Sequence, residues 1–378
     1  VNALFLSRRI VRVFGSASRP VIVALGVLAG GTSTAPAWAQ GDDPRPTVTN
    51  AGPLIPFLEG TDVFFALHED TVFEADIMPH MIGYQNFSDL IDITAQAGRG
   101  ARPKRFAVSI TGTPAVRLRM FDQVSRPVRT PSYMPRGNFQ LIWARNVGAL
   151  AQRLSTLAAA PPRTAPAPTP SVEVGEVSLW EVHGIVGHHS NGQDGCFWED
   201  EQRIDDICVS VLPISGDRVV NKQDGSFSTN YIRTGINYRR NMLDEDLWAL
   251  REWGFRAEFE YHPRAWVDEQ MVDLYGRTRG RFGASIAMRE LRWCPKRAEA
   301  SAGLEIIGGH PDSVWPVTVT VQGTCFPTRQ GGWGIFVRYY GGQDYYNLGL
   351  LDNIQRVHVG ATFNQSGFFR FRRSDEAR

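Results

Sequence analysis

The sequence predicts an all-β chain, a transmembrane antiparallel β-barrel of about twelve strands, on three observations. Short segments from about Thr71 to Asn364 alternate apolar and polar residues with period two. Tryptophan and tyrosine gather near the segment ends, at Trp248, Trp253, Trp266, Trp293, Trp333, Tyr339 and Tyr340, as aromatic girdles do at bilayer interfaces. An export signal stands at the front of the chain. A soluble sandwich would share the alternation but not the other two features.

Residues 1 to 39 read as a signal peptide, because Arg8, Arg9, Arg12 and Arg19 precede the apolar run Val21 to Gly30 and Ala37-Trp38-Ala39 offers a small-x-small cleavage pattern. That run is too short for the roughly 20 residues of a helical span. Residues 40 to 70 are rich in Pro, Gly and Asp and read as an N-terminal periplasmic arm. The barrel is assigned to residues 71 to 366.

Within the barrel, Phe106, Val108 and Ile110 oppose Ala107, Ser109 and Thr111 across a strand. Phe255, Ala257, Phe259 and Tyr261 oppose Arg256, Glu258 and Glu260. Val317, Val319 and Val321 oppose Thr318, Thr320 and Gln322, and Val357, Val359, Ala361 and Phe363 oppose Arg356, His358, Gly360 and Thr362. Two insertions interrupt the rhythm: an Ala/Pro/Thr-rich stretch at 156 to 172, and a loop at 193 to 225 carrying two cysteines and a dense set of acids. Residues 367 to 378 form a polar tail.

Net charge is +1 with both signs interspersed, which argues against a nucleic-acid partner. Beyond the signal no apolar run approaches the length of a helical span, so membrane residence requires a closed barrel. Cys196, Cys208, Cys294 and Cys325 all follow the signal. An even count in an exported chain favours two disulfides. Cys196–Cys208 would close a short loop and Cys294–Cys325 would tie neighbouring strand ends, with the pairing left open. A zinc site joining Cys196 to His183, His188 and His189 lacks any CxxC or HExxH spacing.

The chemistry concentrates in one strand. Trp180, Val182, Gly184, Val186, His188 and Ser190 share one face, apolar until it reaches the reactive pair, while Glu181, His183 and His189 share the other. In a barrel the apolar face meets lipid and the polar face lines the lumen. Ser228, Asn230, Ile232, Thr234 and Ile236 repeat the arrangement, presenting Asn230 on the same surface. A serine nucleophile (Ser190), a histidine base (His188) and an amide that orients the imidazole (Asn230) are the minimum constellation for acyl transfer. His183 and His189 point to the lumen and carry no assigned chemistry.

These residues resemble the outer membrane phospholipase A family of Gram-negative bacteria. His188-His189-Ser190-Asn191-Gly192 matches its H-x-S-N-G element, and Ser226-Phe227-Ser228-Thr229-Asn230 its S-x-S-x-N element. Ser125-Arg126-Pro127-Val128-Arg129 with Tyr133-Met134-Pro135, and Tyr340-Gly341-Gly342 through Asp352-Asn353-Ile354-Gln355-Arg356-Val357, are similar to two further family segments.

The resemblance implies a bacterial outer membrane enzyme that cleaves phospholipid acyl esters at the lipid-facing wall, calcium-dependent and active as a homodimer. It carries over His188 as general base, Ser190 as nucleophile, Asn230 as orienter and the Gly192 backbone N–H as oxyanion donor. For Ca²⁺ it implies the Gln193 carbonyl, Ser226, Asp224 and, from a partner subunit, Ser125; Asp273 matches a further acidic position. The chain departs from the pattern in the Cys-bearing loop, the Pro-rich insertion and the non-aromatic tail. The alternative reading is a catalytically inactive outer membrane pore or structural barrel.

Overall fold

The computed structural model describes residues 57–67, 71–87, 106–121, 130–146, 175–205, 207–211, 218–243, 249–263, 275–289, 291–294, 296–310, 314–328, 332–346 and 349–364. The signal region, the Pro-rich insertion, the tail, Ser125, Trp248, Trp266 and Asp273 lie outside them.

The strands are β1 (Thr61–Ala66), β2 (Thr71–Ile77), β3 (Met81–Gln85), β4 (Phe106–Phe121), β5 (Ser132–Arg145), β6 (Gly175–Ser190), β7 (Glu201–Ile204), β8 (Ile207–Ser210), β9 (Ser228–Leu243), β10 (Ala249–Tyr261), β11 (Thr278–Met288), β12 (Arg297–Gly308), β13 (Val317–Phe326), β14 (Gly332–Gln343) and β15 (Asn353–Asn364). One 13-stranded sheet runs β2-β1-β15-β14-β13-β12-β11-β10-β9-β6-β5-β4-β3, and a β2–β4 pairing closes it. Because β2 and β3 both lie along β4, at Thr71–Ile77 and Met81–Gln85, they are two halves of one position, and the ring is a twelve-stranded antiparallel transmembrane barrel. Strands β7 and β8 form a separate hairpin.

Closure through β1 corrects the placement of the arm. Thr61–Ala66 lies within residues read as an arm, yet it pairs with β15 from Thr61↔Phe363 to Ala66↔His358. The alternation Val63, Phe65 outward and Phe64, Ala66 inward is strand-like, but it spans only 6 residues beside a Pro/Gly-rich run. Residues 57–60 then enter the lumen, where Glu59 accepts from Arg136 at 2.6 Å and its backbone carbonyl contacts His80 at 2.7 Å.

The two faces of the wall differ as the alternation requires. Val186, Phe139, Phe259, Phe282 and Ile335 are exposed on the outside, an apolar surface that is stable only against hydrocarbon. Inside, Glu260 accepts from Arg233 at 2.9 Å and Arg281 at 2.7 Å, and Arg119 donates to Asp344 at 2.8 and 2.9 Å. Glu74 joins Arg356 at 2.9 Å. Buried charges demand such partners, because an unpaired one loses its hydration without return.

Near the strand ends farthest from Ser190, an aromatic girdle runs across the outer wall. Trp143 and Trp180 stack at 6.3 Å, Trp180 meets Tyr238 at 4.5 Å, and Tyr238 meets Trp253 at 5.0 Å. Trp333 is exposed as well. Tyr340 does not belong to this belt: it lines the lumen, where its hydroxyl donates to the Gln343 carbonyl at 2.5 Å. Its parity along β14 matches Arg338, which is also inward.

Candidate active site

Strands β6 and β9 pair without a break over their whole length, placing His188 opposite Asn230 and Ser190 opposite Ser228. An unbroken register keeps both outward sets in phase, since a one-residue slip would turn Asn230 into the lumen. His188 Nδ1 lies 2.8 Å from Asn230 Oδ1. With the amide oxygen as acceptor, Nδ1 carries the proton and Nε2 keeps its lone pair. Ser190 stands two residues on, on the same outward face, roughly 6.6 Å along the strand.

The wall beside the pair is apolar. Pro135 faces Pro114 across β4–β5, and β5–β6 pairing skips from Tyr133↔Ser190 to Arg136↔Gly187. Proline offers no N–H to a ladder, so the strands part there. The result is an outer groove of about 410 Å³ lined by Met81, Gly112, Pro114, Pro135, Gly137 and Val186, ending at His188 and Asn230. Tyr133 stands directly across from Ser190.

After Ser190 the chain reverses at Gly192, whose φ of 68° lies in the left-handed region that favours glycine. A Cβ there would also stand 3.2 Å from the Tyr133 ring. Asn191 directs this reversal. It is fully buried; its Nδ2 donates to the Gly225 carbonyl at 2.7 Å, and its Oδ1 accepts from the backbone N–H of Phe227 at 2.9 Å and of Gln193 at 3.3 Å.

Three of the candidate calcium residues lie in the two segments that Asn191 joins. Gly195 and Gly225 form a parallel bridge, Gly195 N–H donates to the Asp224 carbonyl at 3.0 Å, and Ser226 N–H donates to the Gly195 carbonyl at 2.9 Å. Gln193, Asp224 and Ser226 thus offer hard oxygen donors from adjacent turns, the chemistry a Ca²⁺ ion selects. Asp224 Oδ1 also accepts from Asn221 Nδ2 at 2.5 Å. Ser125 and Asp273 lie outside the described residues.

Among the described residues, the one cluster of His, Cys, Asp and Glu close enough to share a metal is Cys196, Glu201 and Cys208. Its two sulfurs are joined in a disulfide, as are those of Cys294 and Cys325, so both pairings suggested by spacing form. His183 sits in the lumen beside Glu258 at 3.3 Å and Glu181 at 3.6 Å. His189 is buried against Phe227 and Tyr275. Neither joins the outward pair.

The Cys-bearing insertion folds as a unit over this end of the barrel. Phe197, Trp198, Val220 and Phe227 pack with Leu350, and Lys222 pairs with Asp352 at 3.1 Å, both partners coming from the β14–β15 connection. Arg218 ties Asp200 at 3.0 Å to Glu201 at 2.7 Å. Much of the acidic density is therefore engaged in holding the insertion together.

Fold and site define a membrane-spanning antiparallel β-barrel that carries a His–Asn pair and an adjacent serine on its outer wall. Among solved structures the chain is similar to outer membrane phospholipase A from Escherichia coli, at 12% identity and a TM-score of 0.41, covering 86% of this chain and 95% of that one. It is likewise similar to the outer membrane phospholipase of Salmonella typhi, a dimer with bound calcium, at 13% identity and a TM-score of 0.40, covering 85% and 97%. No family model and no curated protein matches the chain.

Proposed function

We propose that the protein is a bacterial outer membrane phospholipase that hydrolyses acyl esters at its lipid-facing wall. The observation that carries this reading is the 2.8 Å contact between His188 Nδ1 and Asn230 Oδ1 on the apolar outer surface, with Ser190 beside it. A hydrogen-bonded His–Asn pair turned toward hydrocarbon has little structural purpose, because each polar group there must be desolvated. The H-x-S-N-G and S-x-S-x-N elements support the same assignment.

Ser190 Oγ attacks the ester carbonyl as His188 Nε2 takes its proton, and Asn230 holds the ring and steadies the imidazolium that forms. The Gly192 N–H donates to the oxyanion. Collapse breaks the acyl C–O bond; the lysophospholipid alkoxide leaves with the proton from His188, and the acyl group stays on Ser190. Water, deprotonated by His188, then attacks the acyl carbonyl, and Ser190 is released with its proton as the fatty acid departs. The groove from His188 to Met81 is apolar and lies at membrane depth, which suits an acyl chain.

Gln193, Asp224, Ser226 and, from a second copy, Ser125 are the residues that would hold Ca²⁺, and the bound ion would supply positive charge near the developing oxyanion. The test compares wild type with Ser190→Ala for fatty-acid release from phospholipid micelles, each with Ca²⁺ and with chelator. Release that needs both Ser190 and Ca²⁺ supports the reading. Equal background in all four samples identifies a pore or scaffold instead.

A further inference from the structure

We propose that Asn191 is the positioning residue of this site, fixing the Gly192 N–H relative to Ser190 and setting the spacing of the Gln193 and Ser226 oxygens. The inference rests on the hydrolase reading above. It starts from an accounting of backbone groups.

Up to Ser190↔Ser228 the β6–β9 ladder is regular, and one more backbone bond follows, from Asn191 N–H to the Phe227 carbonyl at 3.1 Å. The chain then reverses at Gly192 and re-enters beside Gly225 in the opposite sense, as a parallel bridge at Gly195. That reversal withdraws the pairing partners of the Phe227 N–H and the Gly225 carbonyl. The Asn191 carboxamide replaces both, accepting from Phe227 at 2.9 Å and donating to Gly225 at 2.7 Å. It also accepts from the Gln193 N–H at 3.3 Å, which closes the turn around Gly192.

Only a carboxamide meets these demands. It must donate and accept at once, from a side chain with no room to lengthen, because the residue is fully buried. Aspartate keeps the acceptors but sets a carboxylate against the Gly225 carbonyl; alanine leaves buried groups unpaired. Among the described residues the Asn191 side chain hydrogen-bonds to Gly225, Phe227 and Gln193, so its effect reaches the reaction through Gly192 and through the cation oxygens. Substrate binding in the groove of Met81, Pro135 and Val186 involves none of these bonds.

The experiment measures kcat and KM for phospholipid micelles across a Ca²⁺ titration, for wild type, Asn191→Ala, Asn191→Asp and Ser190→Ala, with thermal unfolding of each. Misplacing an oxyanion donor costs about 10²-fold in kcat. Both Asn191 variants are therefore expected to lose about 10²-fold in kcat and to need more Ca²⁺, with KM within about twofold of wild type. A folded variant whose kcat and Ca²⁺ midpoint match wild type overturns the proposal, as does a loss confined to KM. If Asn191→Ala does not fold, Asn191→Asp, which retains two of the three bonds, decides the matter. Inactive wild type would instead sink the hydrolase reading, so the two failures are distinct.

Discussion

The ring of Tyr231 occupies the space that a side chain at Gly187 would take, the two residues being paired across β6 and β9 on the lumen side. Directly behind this contact lies His188 on the outer side. The glycine lets the phenol approach the strand closely, so the backbone that carries His188 rests on an aromatic ring. Gly187→Val should force Tyr231 or β6 to move, costing about 1–3 kcal/mol as overpacking does and lowering activity more than stability. Unfolding and fatty-acid release measured together would test this; unchanged values in both would count against it.

The His188–Asn230 bond makes a sharper prediction. In the proposed transition state the imidazole is charged, and a hydrogen bond to a charged group is worth about 1.5–3 kcal/mol. Asn230→Ala should accordingly lower kcat by roughly 10- to 150-fold while the barrel unfolds as before. Loss of no more than twofold would remove Asn230 from the mechanism.

The outer wall can be probed far from the site. Ile236 is exposed near the middle of β9, opposite Ala257 of β10. Arginine at a lipid-facing midplane position costs about 2–4 kcal/mol, so Ile236→Arg should lower stability in bilayers by that amount. A neutral result would mean that this face does not meet hydrocarbon.

In the lumen, Glu260 is the shared partner of Arg233 and Arg281. Glu260→Ala removes the shared partner of two buried guanidinium groups, leaving Arg281 to Glu305 and Arg233 to Glu258, and should destabilise by about 3–5 kcal/mol. Glu199→Ala, on the exposed surface of the insertion, should stay within about 0.5 kcal/mol. Equal effects in equilibrium unfolding would show the lumen network to be slack.

The Cys196–Cys208 bond constrains the insertion and not the barrel. Closing a loop of this size restricts the unfolded segment by about 3 kcal/mol. Cys196→Ser with Cys208→Ser should therefore speed proteolytic cleavage inside 191–227 while barrel unfolding stays put. Protection equal to wild type would mean that the cluster of Phe197, Trp198 and Leu350 suffices alone.

Most of the barrel was legible because alternation is a local signal: residues such as Val182, Val186 and His188 announce their face two positions apart. The same phase argument put Asn230 beside His188, and the register bears out that placement. β1 was hidden by its brevity and by the Pro/Gly-rich stretch before it. Tyr340 suits a girdle by residue type, but its parity with Arg338 sends it inward. Asn191 gave no periodic signal, because its work is done by a side chain reaching 36 positions along the chain to Phe227. The packing of the insertion on Leu350 is equally remote in sequence.

The stitch at Asn191 separates the root of the insertion from the register of the two strands that flank it. Strands β6 and β9 keep their phase through sixteen paired positions, and the excursion between them is tied off at its root. Residues can therefore be added beyond Gly195 and before Asp224 without advancing either strand by a single step. Such a junction is a natural grafting point, where new loop surface can be tried out while the register of His188, Ser190 and Asn230 is left undisturbed.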